Sequence, residues 1–135
     1  MTSIGTMIST ENKHNEETSI LSPDGWFLAV PGASNKVVVL DALTRELWVT
    51  CYSHQAGIYR RVAGTIKALA WLPDGTFLAS GSTDGSIHIW YARTGIHQRM
   101  LTQPQEGCAV LALTLSDDGC LTALRGKDAN TWQLY

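Results

Sequence analysis

The chain has 135 residues, 44% of them apolar and 16% charged, with a net charge of −2 and an isoelectric point near 6.0. That length holds one domain, and the composition is that of a folded globular domain, not a disordered one. The slight negative charge excludes a general electrostatic attraction to nucleic acid or to an anionic membrane.

Residues 1–10 set Ile4, Met7 and Ile8 among Ser and Thr, enough for one weak strand. They lack the basic start and apolar core of a secretory signal. Residues 11–17, ENKHNEE, are polar and read as a loop, so 1–17 forms an N-terminal strand or tail. The first regular unit begins at residues 18–21, where Ile20 and Leu21 are the apolar positions. Strands follow at 26–30, 36–41 and 46–52, separated by breaks rich in Pro, Gly, Ser and Asn. Residues 53–63, SHQAGIYRRVA, are an extended connection.

The clearest stretch is 64–90, GTIKALAWLPDGTFLASGSTDGSIHIW. It reads as strand, Pro-Asp-Gly turn, strand, Thr-Asp-Gly turn, strand. Ile66, Leu69 and Trp71 are apolar in the first run, and Phe77, Leu78 and Ala79 form the second. Ile87, Ile89 and Trp90 close the third, with His88 turned away from Ile87 and Ile89 by two-residue alternation. Asp74-Gly75 and Asp84-Gly85 suit tight connections, because Gly takes positive φ without a Cβ clash. A fourth strand is expected at 96–101, a polar turn at 103–107, and further strands at 108–115, 120–124 and 130–135. Nowhere do apolar residues recur at 3.6-residue spacing over a capped segment, so no helix is expected.

The units repeat. Ser22-Pro23-Asp24-Gly25 returns as Leu72-Pro73-Asp74-Gly75 and as Ser116-Asp117-Asp118-Gly119, with 50 and then 44 residues from Asp to Asp. A matching apolar run follows each turn. A period near 40–45 residues with four strand-like runs is that of a β-propeller blade.

The motifs SPDG-x-x-LA and SGSTDGSIHIW, with Thr94-Gly95 following, resemble the WD40 repeat from about residue 18 onward. The resemblance implies three blades, at about 18–52, 64–101 and 108–135. In the family a turn Asp, a Ser or Thr of the second strand, a His near the blade's start and the Trp of the third strand form a hydrogen-bonded tetrad. Asp84, Ser80 or Ser82, and Trp90 match three of those positions. Val62 and Ala63 stand where the His would be, and the Trp-Asp pair reads Leu40-Asp41 and Trp90-Tyr91. Apolar packing is therefore expected to carry much of each blade's cohesion.

No catalytic or metal constellation emerges. His14, His54, His88 and His97 are far apart and none sits in a ligand motif. Cys51 and His54 lie three apart, but a closed zinc site needs four ligands. Gly81-Ser82-Thr83-Asp84-Gly85 lacks the G-x-S-x-G spacing of a nucleophile elbow. Asp117-Asp118 reads as a solvated pair of turn acids, and Gly-rich phosphate loops need a helix that is not expected here. Cys51, Cys108 and Cys120 have no paired spacing and read as free thiols in a reducing compartment, so the cytoplasm is the expected location. The longest apolar run, 108–113, is far below the roughly 18 residues that cross a bilayer.

Binding character gathers in the connection after the fourth strand. Tyr52, His54, Tyr59, Arg60 and Arg61 lie within ten residues, and Tyr and Arg are enriched at interface hot spots.

The expected fold is all-β, with three four-stranded antiparallel blades of a WD40-like β-propeller. Closed propellers use about 4–8 blades, so ring closure is expected through oligomerisation, as a six-bladed homodimer, or through sequence beyond these residues. The resemblance implies a non-enzymatic protein–protein interaction scaffold with a protein partner, no cofactor, no metal, no nucleic acid and no membrane. The alternatives are a hydrolase- or lyase-type propeller enzyme, or a fragment of a longer WD40 protein without a role of its own.

Overall fold

The computed structural model describes residues 19–32, 36–51, 65–73, 75–102, 109–125 and 128–134. The expected N-terminal strand or tail, 1–17, lies outside that set, as does the connection at 53–63. The described residues form three antiparallel sheets in chain order. The first holds β1 (Ile20–Leu21), β2 (Phe27–Pro31), β3 (Val37–Asp41) and β4 (Leu47–Cys51). The second holds β5 (Ile66–Trp71), β6 (Phe77–Ser82), β7 (Ile87–Tyr91) and β8 (His97–Thr102). The third holds β9 (Ala112–Leu115), β10 (Cys120–Arg125) and β11 (Asp128–Gln133). Each sheet is a meander in which strands pair with their sequence neighbours, and no helix occurs among the described residues.

The repeated turn keeps one bond each time, from the Gly amide back three residues, while its closing bond spans 22–27 and 72–77 in the first two sheets and 116–120 in the third. Ser22 N donates to Phe27 O at 2.7 Å and Gly25 N to Ser22 O at 2.9 Å. The Asp24 carboxylate accepts from the Ser22 hydroxyl at 2.6 Å and from the Trp26 amide at 3.0 Å. Ser22 Oγ in turn accepts from Phe27 N at 3.0 Å. In the third sheet Ser116 donates to Asp118 and accepts from Cys120 N at 3.2 Å. The second sheet has Leu72 in place of the Ser, yet Leu72 N still reaches Phe77 O at 3.0 Å and Gly75 N reaches Leu72 O at 2.8 Å. In the first and third sheets side-chain oxygens of Ser and Asp also hold the amides of the turn.

Alternation along the middle sheet gives each of its faces a separate core. Leu69, Trp71, Leu78 and Trp90 pack with Ala29, Val37, Val39 and Cys51 of the first sheet. Ala68, Ala70, Ala79, Ile87 and Ile89 pack with Val110, Leu113, Leu121 and Ala123 on the third-sheet side. Burying an Ile or Leu side chain in such a core stabilises by roughly 1.5–3 kcal/mol.

The seams between sheets are close. Trp71 Nε1 donates to Ile20 O at 3.0 Å. A Cβ on Gly95, whose φ is +76°, would stand 2.5 Å from Thr50 O of β4. On the other side Val110 N donates to Ser82 O at 2.9 Å, and Val110 lies so near Gly81 that a side chain there would collide with it. Arg125 Nη2 donates to Thr102 Oγ1 at 2.9 Å, and Thr102 Oγ1 donates to Gly85 O at 2.8 Å.

Candidate functional site

The polar framework of the middle blade starts from strand register. Leu69, Ser80, His88 and Met100 are cross-strand partners in one row, and Trp71, Leu78, Trp90 and His97 in the next. Cross-strand partners share a face, so Ser80, His88, Trp90 and His97 gather on the side turned to the first sheet. There Trp90 Nε1 donates to Ser80 Oγ at 2.9 Å, with both residues buried. His88 stacks on Trp90 with ring centroids 5.5 Å apart. His97 meets the Trp90 ring edge-on at 5.0 Å. His88 Nδ1 and His97 Nε2 lie 2.8 Å apart, one donating and the other accepting. Burial, and secondarily the His97 ring, pull the His88 pKa down to about 4, against a smaller opposing pull from Asp84. Burial also lowers His97. The pair is neutral at pH 7.

Asp84 serves the β6–β7 turn. Its Oδ1 accepts from Ser86 N at 2.8 Å and from the Ser86 hydroxyl at 2.5 Å. Its own amide donates to Ser82 Oγ at 3.1 Å. The four positions read from the repeat thus fall into two groups, Ser80 with Trp90 inside the sheet and Ser82 with Asp84 in the turn. Tyr52, His54, Tyr59, Arg60 and Arg61 lie outside the described residues.

One end of the seam between the first two sheets carries a crevice of about 40 Å³, lined in part by Asp24, Phe27, Trp48, Trp71 and Arg93. That is room for a few waters and too little for an organic cofactor. Asp24 sits below the usual carboxylate range, chiefly through the Ser22 hydroxyl and the Trp26 amide, with a small contribution from the Arg93 charge. Phe27 and Trp48 form its aromatic wall, with ring centroids 5.2 Å apart. Around this corner Trp26, Leu43, Leu47 and Trp48 are exposed. They lie at the same end of the sheet, where Ala42 N donates to Trp26 O at 2.9 Å and Leu47 is the partner of Leu40. The 41–46 turn between them is capped by Asp41, which accepts from Leu43 N and Thr44 N at 2.9 Å each.

No group of three or more His, Cys, Asp or Glu that could hold a metal ion occurs among the described residues. Cys51 is a free buried thiol whose pKa burial pushes up to about 12, and Cys120 is free as well. Sequence reasoning did not find the His88–His97 contact or the exposed corner. The first was within reach: a β7–β8 hairpin closing over 91–96 sets His97 opposite Trp90 and diagonal to His88.

The family model for the WD domain, G-beta repeat, matches residues 49–91, from β4 to the end of β7. An uncharacterized WD repeat-containing protein of Schizosaccharomyces pombe is 39% identical over 69 residues, 51% of this chain and 10% of that protein. Protein tipD of Dictyostelium discoideum is 38% identical over 76 residues, 56% of this chain and 12% of the relative. Actin-interacting protein 1 of Drosophila melanogaster is 38% identical over 71 residues, 51% and 10% respectively. The matched stretches thus span 10% to 12% of these relatives. Among solved structures, the Cps50 (Swd1) β-propeller domain of Myceliophteria thermophila superposes with a TM-score of 0.64 at 17% identity, over 84% of this chain and 37% of that one. The chain thus carries a WD40 repeat at residues 49–91, and its three meander sheets have the fold of β-propeller blades.

Proposed function

We propose that this chain is a non-enzymatic scaffold for protein–protein contacts and that it meets a protein partner at the exposed corner of the first sheet. One observation carries the reading: Trp26, Leu43, Leu47 and Trp48 stand at 68%, 89%, 62% and 54% of full exposure at one end of that sheet. Clustered exposed apolar side chains mark interaction sites, and Trp is enriched among residues that dominate binding energy. The rigid meander beneath them keeps the ordering cost of binding low. A name that one relative carries, actin-interacting protein 1, accords with a role in protein contacts. The residues Tyr52, His54, Tyr59, Arg60 and Arg61 supply a second contact from the connection that leaves β4.

The test is proximity cross-linking of the full chain in cells, mass spectrometry of the adducts, and calorimetry with the purified partner. Trp26→Ser combined with Trp48→Ser should weaken binding at least about tenfold, the scale of hot-spot truncation. A partner that binds this variant as tightly as the parent overturns the reading.

The assembly reading is a homodimer of six blades. It is favoured by the third sheet, which among the described residues has three strands where the others have four. There β11 is an edge strand, and an edge strand can take up a further strand. A strand from residues 1–10 of a second copy would complete it. Light scattering should give about twice the 14.7 kDa monomer mass, and deletion of 1–10 should return the monomer. A folded monomer at micromolar concentration, or a dimer indifferent to the deletion, rules the homodimer out.

A further inference from the structure

We propose that His88 and His97 form a pH-sensitive latch that closes the outer strand of the middle blade, β8, onto β7, and that protonation of the pair releases it. Geometry carries this. The ladder between β7 and β8 is broken twice, between Ile87 and His88 and between Ile89 and Trp90. Pairing runs His88 to Met100, Ile89 to Arg99 and Trp90 to His97, which leaves Gln98 and Leu101 as the inserted residues. A strand with two interruptions in six residues is held less firmly by its backbone. Side chains make up the difference at two points. At its C-terminal end Thr102 bonds to Gly85 O and receives Arg125 of the third sheet. At its N-terminal end the 2.8 Å imidazole contact joins the edge-on packing of His97 on Trp90 and the backbone bond from Tyr91 N to Ile96 O.

That contact depends on protonation state. A neutral pair has one N–H donor and one lone-pair acceptor facing each other. Two imidazolium rings present two N–H groups and two positive charges across the same gap, which is repulsive. His88 is 8% exposed, so a proton arriving there is poorly solvated unless the strand opens. The surroundings offer little compensation. β6 contributes Ser80 and β5 contributes Leu69 to the row of His88. Asp84, in the β6–β7 turn, is the acid that acts on it, and that carboxylate already serves Ser86. Cys51 of β4, in the apolar cluster that includes Trp90, stays an uncharged thiol well above neutral pH. Met100 is the cross-strand partner of His88 on β8, and Arg99, partner of Ile89, is exposed. Opening moves the rings into water, where an imidazole takes up its proton near pH 6.5.

Hydrogen exchange of the full chain, corrected for intrinsic rates, tests the latch. Protection of the β8 amides should fall more than tenfold per pH unit between about pH 6.5 and pH 5, the slope of an opening that takes up more than one proton. The β5–β7 amides should keep their protection. His97→Gln, at the less buried partner, should lower β8 protection at pH 7 and reduce the slope to no more than about tenfold per pH unit, the one proton that His88 takes up on opening. Should that variant misfold, imidazole ¹⁵N spectra of the unmodified chain decide: His88 should remain neutral until the β8 amide signals broaden or shift. Unchanged β8 protection across the interval, a pH slope in His97→Gln as steep as in the parent, or His88 protonation without any change at β8 would each overturn the latch.

Discussion

Trp71 of the middle sheet donates its indole N–H to the backbone carbonyl of Ile20 in the first sheet, at 3.0 Å. The bond ties the first strand of the second sheet to the first strand of the first, and it reaches the shortest strand among the described residues, β1, two residues long. A two-residue strand has too few ladder bonds to hold its place alone. Trp71→Phe keeps most of the apolar volume and deletes the donor to Ile20 O at the seam. The loss should be about 1 kcal/mol, read as a lower urea midpoint with an unchanged slope. An unaltered midpoint would mean that the indole contributes only its packing.

Close approach on the opposite face makes a second, sharper expectation. Gly81 faces Val110 without room for a methyl group. Gly81→Ala should destabilise by about 1–3 kcal/mol, the range for overpacking a tight core. Val110→Ala alone creates a void and should also destabilise. Together the two should cost clearly less than the sum of the singles, since each relieves the other. Additive melting shifts in the double-mutant cycle would contradict the packing described.

Removing the acceptor of a buried indole differs from removing a turn acid. Ser80→Ala strands Trp90 Nε1–H inside the sheet, and Asp84→Ala strands the amide and hydroxyl of the buried Ser86. Each should cost about 1–3 kcal/mol by leaving buried donors unsatisfied. Ser80→Ala should also change the fluorescence of Trp90, whereas Asp84→Ala should leave that environment alone. Thermal melts equal to the parent for both variants would refute these roles.

Global stability should fall with acid in two stages. The His88 pKa is depressed from 6.5 to about 4 in the folded chain, so the unfolded chain binds more protons in that interval. Stability is therefore full above about pH 6.5 and declines toward pH 4, by up to roughly 3 kcal/mol from this group. Asp24, Asp41 and Asp118 have depressed pKa values from hydrogen bonds to their carboxylates. Their contribution is present above the usual carboxylate range and is lost as pH falls through and below it. Urea titrations from pH 7.5 to pH 3 check both stages, and His88→Gln should flatten the first while leaving the second.

Much of the fold was legible because the repeat writes strand and turn in separate alphabets. Val, Ile and Leu runs place β3 and β7 within a residue of their observed ends, and Asp24 and Asp118 mark turns that their own carboxylates hold together. Less legible was β11, expected from 130 and observed from Asp128. The β10–β11 ladder runs back to the Arg125–Asp128 pair, and backbone pairing there needs no apolar pattern. The candidate site was harder. Trp26 and Trp48 look like ordinary strand residues, and their exposure is set by where one sheet ends, a tertiary property. His88 and His97 meet only once hairpin register and two bulges are fixed, and neither is visible in composition.

Each sheet is finished by residues that follow one another along the chain: the first is complete at Cys51, and the second at Thr102. A growing polypeptide emerging from the ribosome could therefore close one sheet before the next exists, at a synthesis rate of roughly 5–20 residues per second. The face of the first sheet that carries Ala29, Val37, Val39 and Cys51 would then wait, uncovered, for some seconds until the second sheet arrives. In that interval the nascent chain presents an apolar surface that the finished protein hides, which is the moment at which a chaperone would engage it.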